Sequence, residues 1–353
     1  MVFTLTNTIG KYAKNPPGGV SANMVIVGNG GTRIASSTDG NTWASRTPNA
    51  FGTANASVSG VAYGNGLWVA VGYNGGDASI KNVSTSTNGT TWIGQTSNAG
   101  ITNAQKVAYG KNSSDNGVWV MCGQTKFATS TNGTSWTACA TNGGIDTVVV
   151  NVAFGKDNLG AGLWIGIGWA SNVANNIVKS TDGGNSWATC NSNGGINGIG
   201  RCVAYGLDGL GQPLWVAGGD GSSAGRIATS SNGSTWNPCA STGGLIYNVY
   251  GVAYGKDDLG VGLWVAVGEG TNTIATSPNG TAWTGRSIAN PTGITTIGLG
   301  VAYGQDALGN WLWVAVGSGG NIIATSINGT TWNGVTSNGG LTSASSVAFK
   351  PSI

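Results

Sequence analysis

Val252-Ala-Tyr-Gly255, Leu263-Trp-Val-Ala-Val-Gly268 and Ser277-Pro-Asn-Gly-Thr-Ala-Trp283 follow one another between residues 252 and 283, and all three phrases return along the chain. The last occurs seven times, as Ser37-Thr-Asp-Gly-Asn-Thr-Trp43, Ser86-Thr-Asn-Gly-Thr-Thr-Trp92, Ser130-Thr-Asn-Gly-Thr-Ser-Trp136, Ser180-Thr-Asp-Gly-Gly-Asn-Ser-Trp187, Ser230-Ser-Asn-Gly-Ser-Thr-Trp236, Ser277 to Trp283, and Ser326-Ile-Asn-Gly-Thr-Thr-Trp332. The first starts at Val61, Val107, Val152, Val203, Val252 and Val301 and returns truncated as Val347-Ala-Phe349. The second starts at Leu67, Val118, Leu163, Leu214, Leu263 and Leu312. Self-similarity at a fixed period of this size marks a repeat architecture.

Each unit holds four short segments rich in Val, Ile, Thr and Trp, bounded by Gly and Asn, and none is long enough for a helix. Such segments read as strands. The Asn-Gly and Asp-Gly pairs between the third and fourth segments predict tight two-residue hairpins with both residues at φ > 0. A four-stranded antiparallel unit repeated seven times predicts an all-β fold, a seven-bladed β-propeller closed around a channel. The ends support closure. Met24-Val-Ile-Val-Gly28 aligns with a second strand and Val347 to Phe349 with a first, so the C-terminal strand is expected to complete blade one. The expected blades are then 347–349 with 24–46, 61–95, 107–139, 152–190, 203–239, 252–286 and 301–334, preceded by an arm at residues 1–23.

Composition narrows the function classes. The 353 residues include 64 Gly and 15 Trp, no His, and 15 Lys+Arg against 12 Asp+Glu. With 40% apolar residues the chain is neither disordered nor collagen-like, and its apolar runs fall far short of a membrane helix. A formal charge of +3 forms no basic stripe, so nucleic acid is not an expected partner, nor is membrane insertion. Without His the commonest general base and metal ligand are missing; no metal or cofactor is expected.

The phrase Ser-x-Asp/Asn-Gly-x-Thr/Ser-Trp resembles the Asp-box, or BNR repeat, of sialidases, photosystem assembly factors and other propellers. The resemblance spans residues 24–349, with Ser180 to Trp187 nearest the family pattern. It implies a structural turn made by Asp39, Asn88, Asn132, Asp182, Asn232, Asn279 and Asn328, with Trp43, Trp92, Trp136, Trp187, Trp236, Trp283 and Trp332 as packing wedges. The family's catalytic set of three arginines, a Tyr/Glu pair and an Asp is not matched: the chain has five Arg and one Glu, Glu269, and Arg33-Ile34-Ala35 departs from the family's Arg-Ile-Pro. The repeats are also similar to propeller repeats of large DNA viruses and bacterial surface proteins.

Cys139, Cys190 and Cys239 stand three residues after a box Trp on consecutive blades. Equivalent positions on sheets about 10 Å apart exceed the span of a disulfide, so free thiols are expected. Met1 to Ile9 carries no charged leader, apolar core or cleavage site, and no secretory signal is expected. Asp157, Asp208, Asp257 and Asp306 recur in loops from first to second strands, where turn capping is expected. With 8% charged residues and 37 Asn, solubility rests on neutral polar groups, a surface suited to display outside a cell.

Candidate ligand residues are those outside the repeat, on the face opposite the boxes: Tyr73, Asp77, Trp169, Asp220, Glu269, Arg201, Tyr247 and Tyr250, with Asp146 nearby. Aromatic planes beside carboxylate, amide and Arg groups suit a sugar. A non-enzymatic, lectin-like recognition or adhesion module displayed on a virion or cell surface is the leading expectation. Glycans or surface proteins are its expected partners. The alternative is a structural or assembly protein that docks other proteins or neighbouring subunits through the propeller and residues 1–23. Glycoside hydrolysis by Asp220 and Glu269 is a minor alternative.

Overall fold

The computed structural model describes residues 21–46, 51, 56–76, 81–220, 226–245, 247–286, 294 and 296–351. Seven four-stranded antiparallel sheets form a propeller. Blades are numbered from the one that holds Met24–Gly30. Their inner strands are Leu341–Phe349, Ser57–Gly64, Ala104–Lys111, Val148–Lys156, Gly200–Leu207, Asn248–Lys256 and Ile297–Gln305. Each inner strand lies against the next around the axis, Leu341–Phe349 against Ser57–Gly64 included. The C-terminal strand pairs Phe349 with Met24, Ala348 with Val25 and Val347 with Ile26, so the ring is closed as the repeat arithmetic predicts. The inner strands begin three to six residues ahead of the Val-Ala-Tyr/Phe-Gly phrase. Residues 1–20 of the expected arm and Asp77 lie outside the described residues.

Apolar residues gather into seven clusters, each between two neighbouring blades. Leu214 and Val216 of blade five, for example, pack with Trp264, Ala266 and Trp283 of blade six. The box tryptophans are at most 7% exposed and Trp68, Trp119, Trp164, Trp215, Trp264 and Trp313 of the second strands at most 1%, so both sets are wedges between sheets. The indoles of Trp164, Trp215, Trp264 and Trp313 are answered across the same gaps. The indole N–H of Trp215 donates to the Lys156 carbonyl of the preceding blade at 2.9 Å, and Trp264 does the same to Leu207 at 2.8 Å. Cys139, Cys190 and Cys239 are free thiols whose Sγ atoms lie 2.8, 3.2 and 3.6 Å from the carbonyls of Gly184, Gly233 and Gly280 in the following blade.

The turn between third and fourth strands differs from the expected hairpin. Strand pairing stops at Thr276 with Thr284, leaving a seven-residue loop, and Asn279 is not left-handed; only Gly280 is, at φ +77°. The loop is held by side chains instead. Asn279 Oδ1 accepts the backbone N–H groups of Thr281 at 3.0 Å and Ala282 at 3.1 Å, and Ser277 Oγ donates to it at 3.0 Å. The Trp283 indole then donates to the Gly280 carbonyl at 3.0 Å. The side-chain carbonyl thus does the work expected of backbone twist. A two-residue turn of the expected kind does occur, between first and second strands of blade two, where Asn65 and Gly66 have φ of 46° and 77°. In blades four to seven the corresponding loop is longer. There Asp157, Asp208, Asp257 and Asp306 accept two backbone N–H groups each, at 2.8 to 3.0 Å.

Candidate ligand site at the channel mouth

Every inner strand carries at least one residue too many. Pairing with the second strand jumps from Val58 to Gly60, Ala104 to Lys106, Val149 to Asn151, Gly200 to Cys202, Val249 to Gly251 and Gly298 to Gly300, and in blade one it passes over Ser345. These are β-bulges at one height in all seven blades. A bulge bends its strand and brings a backbone carbonyl close to the partner, which then has no room for a side chain. The last glycine of the Leu-Trp-Val-Ala-Val-Gly phrase is that partner. A Cβ on Gly72 would stand 2.0 Å from the Ser57 carbonyl oxygen, and one on Gly268 would stand 2.1 Å from that of Asn248.

The residues left over by the bulges are Ser59, Gln105, Val150, Arg201, Tyr250, Leu299 and Ser345. All seven are half-buried and line one cavity of about 200 Å³, together with Lys106 and Asn151. It opens on the face opposite the box turns, because the bulges lie at the ends of the first strands away from the loops that lead to the second strands. Beyond it the channel widens to a space of about 360 Å³ walled by residues of all seven inner strands.

Blades five and six dominate the chemistry of this mouth. The Arg201 guanidinium grips both oxygens of Asp220, through Nε to Oδ1 and through Nη2 to Oδ2 at 2.9 Å, and it lies 4.6 Å from the centre of the Tyr250 ring. The Tyr250 hydroxyl donates to Glu269 Oε2 at 3.4 Å, and Asn248 Nδ2 reaches Glu269 Oε1 at 3.2 Å. Burial works against the Arg201 charge, but the Asp220 carboxylate outweighs it, so its pKa is raised. The Tyr250 phenol is pushed up, mainly by burial. Lys106 Nζ reaches across the channel to Ser346 Oγ of blade one at 2.8 Å. Burial pushes its pKa down, and the nearby Cys122 and Cys202 thiols oppose this only where they are ionised. Those thiols are themselves pushed up to about 12 by burial and supply no counter-charge at neutral pH.

Four residues singled out in the sequence, Arg201, Asp220, Tyr250 and Glu269, are therefore linked in one network. The others stand apart from it or at its edge. Trp169 ends the second strand of blade four, paired with Val148 and 45% exposed; Tyr73 holds the same place in blade two, paired with Ser57. Tyr247 is 61% exposed and, among the described residues, is tied through its backbone, its N–H to the Glu269 carbonyl and its own carbonyl to Arg226 Nε at 3.2 Å. Asp146 accepts the Ser171 backbone N–H at 2.7 Å, which with the Ser171 side chain holds its pKa below the usual range. Sequence reading missed Lys106, Gln105 and Asn151. The signal for them was the pair of residues just before each Val-Ala-Tyr/Phe-Gly phrase, which vary while the rest repeats.

No group of three or more metal-ligating side chains occurs among the described residues. Nor, among them, is any helix long and apolar enough to cross a membrane.

No protein-family model and no curated protein sequence matches the chain. Its likeness is to solved propeller structures. A putative 6-phosphogluconolactonase from Bacteroides uniformis is 11% identical, with 94% of this chain and 99% of that one covered at a TM-score of 0.53. A GH74 xyloglucanase from Xanthomonas campestris is 14% identical, with 94% and 54% covered at 0.51. YCF48 bound to D1 peptide is 18% identical, with 80% and 83% covered at 0.49. At these identities the likeness is one of fold, and it is what the chain shares with them.

Proposed function

We propose that this propeller is a non-enzymatic recognition module that takes the end of a glycan at the channel mouth, displayed on a virion or cell surface. The observation that carries the reading is the bulge ring. Six kinds of side chain, Ser, Gln, Val, Arg, Tyr and Leu, converge on one cavity while the scaffold around them repeats. A space of about 200 Å³ is below the ~300 Å³ at which pockets for drug-sized ligands begin, so it suits one terminal unit of a larger ligand. The tyrosine plane and the mixed donors and acceptors match a sugar's apolar face and hydroxyls.

Hydrolysis is the less favoured reading because both candidate carboxylates are already engaged. Asp220 is held by Arg201, and Glu269 by Asn248 and Tyr250. A glycosidase needs one of the two free to give a proton. The box turns are read in the same way, as an Asp-box repeat with a structural role. A glycan array probed with the intact chain and with Tyr250→Ala and Gln105→Ala tests the proposal. Binding that both variants weaken supports it; absence of binding to every glycan, or binding that neither variant changes, refutes it.

One observation favours docking of a protein as a second reading. Leu159, Leu210, Leu259 and Leu308 crown the box face of four consecutive blades, each 84–87% exposed. Replacing all four by Ser should then abolish capture of the chain by the assembled particle or surface and leave glycan binding intact.

A further inference from the structure

We infer that blade seven carries a second carbohydrate platform, on the face opposite the channel mouth, with Trp311 as its floor. Trp311 opens the second strand Trp311–Ser318 and pairs with Gln305 at the end of the inner strand. The matching position is Gly117 in blade three, Gly162 in blade four, Pro213 in blade five and Gly262 in blade six. In blades three and six the inner-strand tyrosine lies over that glycine. A Cβ on Gly117 would meet the Tyr109 hydroxyl at 1.8 Å, and one on Gly262 would meet that of Tyr254 at 2.1 Å. Blade seven departs from this. Its Tyr303 ring lies parallel to the Trp311 indole, 5.0 Å between centres and 5° between planes, and the indole is half exposed to solvent. One face of the Trp is therefore held by Tyr303 while solvent reaches the side chain.

The indole borders an open cavity of about 550 Å³. Polar groups around it come from the loops of blades six and seven. Asp257 uses Oδ1 to accept the N–H groups of Leu259 at 3.0 Å and Val261 at 2.8 Å, which leaves Oδ2 without a hydrogen bond among the described residues. Asn310 donates through Nδ2 to Asp306 at 2.9 Å, which leaves its Oδ1 as an acceptor. Asp258 and Lys256 add a carboxylate and an ammonium with no ion-pair partner among the described residues. An aromatic plane with carboxylates, an amide and an ammonium at its rim is the arrangement a pyranose ring requires. Its C–H face packs on the indole and its hydroxyls find donors and acceptors at the edge. Two carboxylates against one ammonium disfavour an acidic sugar, so the ligand class is a neutral pyranoside. The platform is independent of the mouth: Trp311 is on the side of the ring where the first and second strands join, and no residue is shared between the two cavities.

The test is a titration of the full chain, isotopically labelled, with methyl pyranosides of glucose, galactose, mannose and N-acetylglucosamine, following the backbone N–H signals of Leu259 and Asn310, which line the same cavity, and the indole N–H signal of Trp311. That signal is assigned by its loss in Trp311→Gly, which restores the residue found at this position in blades three, four and six. The expected result is a shift with at least one of the four sugars. Trp311→Gly should weaken that binding about threefold to tenfold, the worth of one aromatic contact, Trp311→Phe should keep part of it, and Tyr250→Ala should leave it unchanged. Glucuronic acid should bind more weakly than glucose. No shift with any neutral pyranoside through the millimolar range, binding unchanged in Trp311→Gly, or tighter binding of glucuronic acid overturns the proposal. Because Tyr250→Ala acts only at the mouth, failure of either site is read separately from the other.

Discussion

Gly255 of blade six lies flat beneath the ring of Tyr303 of blade seven, so close that a Cβ built on it would stand 2.4 Å from the ring carbon Cγ. The same contact joins Gly64 to Tyr109, Gly110 to Phe154, Gly155 to Tyr205, Gly206 to Tyr254 and Gly304 to Phe349. The final glycine of the Val-Ala-Tyr/Phe-Gly phrase is thus fixed by the aromatic residue of the next copy. The repeat is coupled to itself around the ring. At the seam the phrase ends in Lys350, whose ammonium lies 5.9 Å from the centre of the Tyr63 ring.

Gly255→Ala should destabilise the protein by about 1–3 kcal/mol, the cost of forcing extra volume into a packed contact. Gly31→Ala is the control, since a Cβ there meets nothing within 4 Å and its φ is not left-handed. Urea midpoints of the two variants compared with the parent decide the matter.

Asn279→Ala removes an acceptor used by two backbone N–H groups and a hydroxyl. The expected loss is about 0.5–1.5 kcal/mol, the net worth of a hydrogen bond at a partly exposed turn. Asn279→Asp should cost much less, because Asp39 and Asp182 hold the same turn in blades one and four with the same Oδ1 contacts. Thermal melts of both variants check the ordering.

Acid should loosen blades one and four before the others. The Asp39 and Asp182 carboxyls feel burial, which raises their pKa, but hydrogen bonds from Thr42 and Asn41, and from Ser186, Ser180 and Asn185, outweigh it and hold both below the ordinary value of 3.8. A group whose pKa is lower folded than unfolded stabilises the fold above its unfolded pKa. That contribution is lost as pH falls through the depressed folded value. Asp182→Asn should therefore flatten the fall in stability below pH ~4, measured as urea midpoint against pH.

The thiols should be silent in the native protein. Burial pushes Cys122, Cys139 and Cys202 up to about 12, and Cys190 and Cys239 up to about 11. A chromogenic disulfide reagent at pH 8 should titrate all five Cys rapidly in denaturant and react slowly without it. Fast native reaction at any one of them would contradict the packing described above.

Removal of residues 341–353 takes away the inner strand of blade one and the Leu341, Ala344 and Val347 side chains that pack with Trp43 and Leu312. Met24–Gly30 would then be an unpaired apolar edge. The truncated chain is expected to aggregate on expression, and its recovery as a soluble monomer would show that closure is dispensable.

Much of the fold was legible because the repeat is spelled in residues with sharp geometric demands. Trp fills gaps between blades and the Gly that ends each Val-Ala-Tyr/Phe-Gly phrase opens a close contact, so spacing alone counts the blades and shows the seam at Phe349 and Met24. The turn at Asn279 was misread because Asn-Gly satisfies two geometries, and the choice depends on Ser277, which supplies the hydroxyl that draws the loop inward. At the candidate site, Arg201 and Tyr250 were visible as departures from the repeat. Lys106 and Gln105 were not. A bulge is a matter of register between two strands, and its trace in the sequence, the glycine at Gly72 or Gly268, is indistinguishable from an ordinary strand end until pairing is known. Trp311 stands where other blades carry Gly or Pro, but its partner Tyr303 belongs to a phrase whose other copies serve packing.

The bulge ring separates what must be kept from what is free to change. A bulged residue pairs with nothing, so replacing Ser59, Val150 or Leu299 alters neither the register of a strand nor the wedge between two blades. Seven such positions facing one opening form a set of interchangeable letters on a fixed frame. A lineage, or an engineer building a library, can rewrite what this protein recognises without relearning how to fold it.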